Sequence, residues 1–256
     1  MYKKLRIGIL LFILLTVAVS TWRANAKVTG WQSTLQVALF PINADGSAAS
    51  QRYIDALQAS SIEPIGDYLG EQAKQHGLNK LYPVRVSLGP AIQSLPPAQP
   101  TRGSALDAIV WSLKMRWWAW RNTPATAIRP DVRVYQLYYD PATHSSVPDS
   151  AGLAKGQIGI AHLFATRQMH GSNLVVTTHE LLHTLGATDK YDPRNGLPIF
   201  PAGYAEPELN PRLPQQFAEI MGGRIPVDEG RAEIPASLGA TLIGPQTARE
   251  IGWIKK

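Results

Sequence analysis

The 256-residue chain has no cysteine. Disulfides and thiolate metal sites are therefore excluded. Any bound metal would have to rest on histidine and carboxylate, a donor set that suits a catalytic site better than a structural one. Residues 1–26 contain no acid but hold Lys3, Lys4, Arg6 and Arg23. Removing these four from the 25 basic residues leaves 21 against 19 acids, so the net charge of +6 falls to +2. The basic character belongs largely to the leader, and nucleic acid is not an expected partner. There is also no internal repeat.

The leader itself is informative. Lys3, Lys4 and Arg6 precede an apolar run from Ile7 to about Val19, and Ala24-Asn25-Ala26 is a small-residue cleavage pattern. Residues 1–26 are read as a signal peptide, with the exported chain, periplasmic or secreted, beginning at Lys27. The alternative is an uncleaved membrane anchor through residues 7–22, which is short against the ~20 residues of a bilayer span. Either way the domain is expected outside the cytoplasm.

Leu35–Phe40 reads as a buried strand stopped by Pro41, and Asn43–Gly46 as a turn. Ser50–Leu57 and Ile62–His76 have helical spacing, with Ile65, Leu69 and Ala73 on one side and Gly77 as the stop. Leu81–Leu88 alternates as a strand with Tyr82, Val84 and Val86 on one face, and Pro90–Pro100 is a connector. Ser104–Arg121 is a strong helix, opened by a Ser104/Asp107 capping box. It carries two apolar stripes: Leu106, Ile109, Val110, Leu113, Trp117 and Trp120, then Trp111, Met115 and Trp118. Burial on both sides is expected, with a membrane or glycan surface as the alternative. Val132–Tyr139 and Gln157–Phe164 read as strands separated by a loop at Asp140–Ala151. His162, on the second, is read as structural. Six prolines interrupt Pro193–Pro214, and Gln246–Trp253 reads as a closing helix.

Between these strands and the prolines lies N-L-V-V-T-T-H-E-L-L-H-T-L-G-A-T-D-K-Y-D, Asn173–Asp192. His179 and His183 are four apart, so on a helix both imidazoles point to one side and can share a zinc ion. Glu180 sits beside that face, placed to act on a metal-bound water rather than on the metal. Gly186 is the expected helix stop, because it takes positive φ without a Cβ penalty. The chain can then turn back, which makes Asp189 the expected third ligand. Asp189, Asp192 and Asn195 fit no standard calcium loop.

The full pattern, H-E-x-x-H-x-x-G-x-x-D, with Glu219-Ile220-Met221-Gly222-Gly223 downstream, resembles the metzincin zinc peptidases. Most of those have histidine where this chain has Asp189. The aspartate version, with Tyr191 following, is similar to snapalysin and the immune inhibitor A-like peptidases. The resemblance runs from about Gly156 to Trp253. It implies an α/β (α+β) zincin domain over 27–256, built on a mixed twisted sheet with an active-site helix. An upper lobe would span 27–188, and a small lower lobe, 189–256, would carry a Met-turn with Met221 as a floor beneath the metal. In such folds the strand before the zinc helix is a sheet edge over the cleft.

The expected activity is that of a monomeric extracytoplasmic endopeptidase with one catalytic Zn²⁺, acting on protein or peptide. Glu180 would be the general base, and Tyr191 or Tyr204 would donate to the oxyanion. Two other classes stay open. One is a zinc hydrolase of a non-protein amide, such as a cell-wall bond. The other is an inactive binding module on the zincin fold, which the intact Glu180 argues against.

Overall fold

In the computed structural model, residues 27–100, 104–154 and 156–254 are described, together with Arg6, Gly8 and Val19. The leader assigned to residues 1–26 otherwise lies outside the described residues. In chain order come β1 (Leu35–Asn43), α1 (Ala48–Asp55), α2 (Ala59–Gln75), β2 (Val84–Leu88), α3 (Ala105–Asn122), β3 (Val132–Tyr139), β4 (Ala151–Leu153), β5 (Ile158–Phe164) and α4 (His170–Thr184). The rest of the chain forms short pieces: β6 (Ala218–Glu219), β7 (Ile225–Pro226), β8 (Ala232–Glu233), β9 (Thr241–Leu242) and α5 (Pro245–Glu250).

The five-stranded sheet has the order β2-β1-β3-β5-β4. All its pairs are parallel except β4 with β5. This is the mixed α/β architecture expected. Both faces of the sheet are covered, so its central strands are apolar on both sides. Leu35, Val37 and Leu39 of β1 join one core cluster, with Ile65 and Leu69 of α2 and Leu181 and Leu182 of α4. Phe40 and Ile42 face the other way, into a cluster with Trp111, Met115 and Trp118 of α3. The crossovers explain this division. The chain moves from β1 to β2 through α1 and α2, then returns past β1 to β3 through α3. Right-handed connections in opposite directions put their helices on opposite faces.

Four expectations are corrected. First, Pro41 does not stop β1, which continues to Asn43 in register with β3. The carbonyl of Pro41 faces the β2 side, where it accepts from Ile92 N. Its missing N–H falls on that same side, beyond the end of β2 at Leu88, so no ladder bond is lost. Second, β2 begins only at Val84. Pro83 interrupts the alternation, and Leu81 and Tyr82 are exposed. Third, β5 is not the sheet edge, because Ala151–Leu153 forms an antiparallel strand outside it. Fourth, α3 is buried on one side only. Trp111, Met115 and Trp118 are inside, while the Leu106–Trp120 stripe is exposed. Its Ser104/Asp107 capping box forms as expected.

No helix among the described residues is long and apolar enough to cross a membrane.

Candidate metal centre

The site is built on α4, whose inner face packs on the sheet through Leu174, Leu181 and Leu182. Gln136 of β3 anchors it further, donating to Thr177 Oγ1 at 3.0 Å. Gly186 ends the helical turn with φ of 105°. The four-residue spacing brings the rings of His179 and His183 to 4.7 Å between centroids.

Each imidazole is fixed through its Nδ1. His179 Nδ1 donates to Ile220 O at 2.9 Å, and His183 Nδ1 to Ala187 O at 2.8 Å. A carbonyl only accepts, so Nδ1 carries a proton in either state of the ring, and each Nε2 is the position that takes a metal or, without one, a second proton. The two Nε2 atoms face each other at 3.0 Å. Asp189 Oδ1 lies 3.0 Å from both. Three acceptor atoms this close repel unless positive charge lies among them. An ion about 2.0–2.1 Å from each would sit about 1 Å off their plane, so the triangle fits the usual Zn–N and Zn–O distances.

Protonation follows the same field. Burial would depress His179, but the hydrogen bond to Asp189 and the charge of Glu180 outweigh it and lift the ring to about 8. Burial would raise Asp189, but its bonds to His179 and His183 hold it well below the usual carboxylate range.

Glu180 is buried, and its Oε2 has no hydrogen-bond partner. Burial raises it to about 6, against the pull of the two imidazoles. Ligand atoms of His179, Glu180 and His183 all lie within 4.8 Å of one another, close enough to hold a metal ion together. The 3.0 Å contacts of Asp189 make it the third member of the triangle. Glu180 remains the carboxylate with an open lone pair. Such a group, poised near neutral pH beside a metal, can take up and release a proton.

Tyr191 reaches the same place, its ring 6.5 Å from that of His179. Burial and the charges of Asp189 and Glu180 push its hydroxyl up to about 12, so it stays a donor. Tyr204 instead packs on Phe200, with centroids 5.3 Å apart, and pairs with Ala218. Met221 is fully buried in the core cluster that includes Leu181, and its carbonyl accepts from Lys190 N. Asp192 is paired with Arg194, and Asn195 Oδ1 accepts from Leu197 N, so neither joins Asp189. His162 bonds Tyr139 at 3.0 Å and faces the α3 side. There it lines a cavity of about 700 Å³ with Trp111, Tyr139 and Asp149.

Three supports were not legible as such in the sequence. Glu219 is fully buried and accepts four hydrogen bonds: Met221 N, Gly222 N, Gly244 N and Thr247 Oγ1. It thereby holds the turn whose Ile220 carbonyl orients His179. Buried Lys190 donates to Glu250 of α5 at 2.8 Å. Glu250 also accepts from Thr188, which fixes the segment carrying Asp189. Burial alone would raise Glu250, but these bonds bring it below its usual value. Gly152 of β4 lies against α4, where an added Cβ would be 2.2 Å from His183 Cβ and 2.9 Å from Glu180 O. Only glycine lets the edge strand come this close.

No family model and no curated protein matches the chain.

Proposed function

We propose that the protein is a zinc-dependent peptidase of metzincin type. The observation that carries the reading is the triangle of His179 Nε2, His183 Nε2 and Asp189 Oδ1, each side 3.0 Å, beside a buried Glu180. The donor set, two imidazole Nε2 atoms and one carboxylate, suits zinc with a position left open. A zinc ion held there supplies Lewis-acid charge, which lowers the pKa of water and polarises a carbonyl. His179, His183 and Asp189 would hold it. Glu180 takes a proton from the attacking water and delivers it to the leaving amine. The Tyr191 hydroxyl donates to the oxygen that gains charge at the scissile carbon.

Beside α4 the sheet ends in β4, and Gly152 packs against His183. The free edge of β4 offers main-chain groups to an extended peptide, which recognises backbone rather than side chain. The apolar leader supports action outside the cytoplasm, on protein or peptide.

The test is metal analysis and peptide hydrolysis by the full chain. One zinc per chain and cleavage of an unstructured peptide are expected. Glu180→Gln should keep the zinc and lose at least ~10²-fold in rate, the scale of general-base loss. Asp189→Ala should weaken zinc far more than Asp192→Ala. A wild-type protein that binds zinc but cleaves no peptide in a broad library would overturn the activity. One that stays metal-free after reconstitution would overturn the site.

A further inference from the structure

The exposed stripe of α3 calls for a partner. Leu106, Ile109, Val110, Leu113, Trp117 and Trp120 are between 49% and 79% exposed. At about 100° per residue they fall within an arc of about 100° on the helix surface. The opposite arc holds Trp111, Met115, Trp118 and Ala119, buried against the sheet. Contiguous apolar surface of this extent marks an interaction site.

The rims of the stripe say which kind. Lys114 and Arg121 flank it on one side and Arg116 on the other. The Arg121 guanidinium lies 5.9 Å from the Trp117 ring centroid. Asp107 is the one acid on α3, and its carboxylate is occupied at the helix start by Ser104 N and Oγ. An apolar arc edged on both sides by long cations, with tryptophans toward one end, is the pattern of a helix lying in a bilayer surface. The stems add to the apolar area while the charges reach lipid phosphates.

A second copy of the chain fits less well. Packing α3 on α3 would bring six cations to one interface against only the two Asp107 carboxylates, each already engaged at its own helix start. A glycan fits less well too, because the side chains of Leu106, Ile109, Val110 and Leu113, which form most of the stripe, offer no polar atom to sugar hydroxyls.

We propose that α3 is a membrane-docking helix, seating this face of the sheet on an anionic lipid surface. The metal centre is on α4, across the sheet, so docking leaves it open to water. The proposal does not depend on the reaction assigned to that centre.

The absence of native cysteine makes a direct test simple. Leu113→Cys on the stripe and Glu63→Cys on exposed α2 would each carry one nitroxide in the full chain. Vesicles of phosphatidylcholine, with or without phosphatidylglycerol, are then added. The label at 113 should lose contact with a water-soluble nickel chelate and gain contact with oxygen, more so with phosphatidylglycerol. The label at 63 should not change. Replacing Trp117 and Trp120 by Gln should weaken the seating of 113 by at least about tenfold, the scale of removing two half-exposed indoles from an apolar contact.

Three results would overturn the proposal. The label at 113 could stay in water while the chain is held on vesicles by its leader. It could become protected without lipid as protein concentration rises, which would assign the stripe to a second copy. It could be protected by a soluble oligosaccharide and not by vesicles.

Discussion

Glu219→Gln tests whether the turn under the histidines is held from within. In the wild type both carboxylate oxygens accept, one from Met221 N and Gly222 N, the other from Gly244 N and Thr247 Oγ1. Glutamine has nearly the same shape but turns an NH₂ group toward one of these donor pairs. Two donors then face a donor in a site with no solvent exposure. Hydrogen bonds to a charged group contribute about 1.5–3 kcal/mol each, so losing two costs about 3–5 kcal/mol after partial relaxation. That is a large share of the ~5–15 kcal/mol that holds a domain together. In a domain of this size it corresponds to roughly 10–15 °C in Tm. Thermal and urea unfolding followed by circular dichroism would measure it, with exposed Glu233→Gln as the control. At temperatures where the variant is folded, affinity for the zinc proposed at this site should fall about 10- to 100-fold, because Ile220 O no longer fixes His179 Nδ1. A variant within ~1 kcal/mol of wild type, with metal affinity unchanged, would refute the reasoning. The turn would then be held by backbone packing alone.

Two other predictions rest on single contacts. Gly152→Ala should force β4 away from α4, costing about 1–3 kcal/mol and weakening metal binding. Gly230→Ala, where the nearest atom would be 3.9 Å away, should change stability by less than ~0.5 kcal/mol, and equal effects at the two sites would count against the close approach. His162 is held at about 4, below its ordinary 6.5, by burial, with Asp149 pulling the other way. Between those values the unfolded chain takes up a proton that the folded chain does not, so stability should fall as pH drops from 6.5 to 4. Allowing for partial exposure of the ring, the loss is about 1–2 kcal/mol. Urea unfolding of His162→Gln at pH 7 and pH 4.5 should show that much less pH dependence, and an unchanged slope would reject the assignment.

Much of the local structure was legible in the sequence, because local structure answers to local rules. His179 and His183 had to share a face once their segment was helical, and Gly186 had to end that helix. The Ser104/Asp107 box had to open α3. Ile65, Leu69 and Ala73 had to be buried together. The placement of Asp189 beside both imidazoles followed from the turn after Gly186, a step of only a few residues.

What spacing could not decide was which surfaces meet. Periodicity showed two apolar stripes on α3. Only the return of the chain past β1 determined that the Trp111 side meets the sheet and the Trp120 side does not. Gln157–Phe164 read as a strand from its composition, but nothing in the sequence showed that three residues with a glycine would pair outside it and become the edge. Glu219 and Lys190 look like surface residues in a sequence. They are buried because partners 25 to 60 residues away arrive around them: Gly244 N and Thr247 Oγ1 donate to Glu219, and the Glu250 carboxylate accepts from Lys190. A charge or an apolar stripe has no inherent inside or outside: its environment is set by long-range packing, and that exists only once the chain has folded.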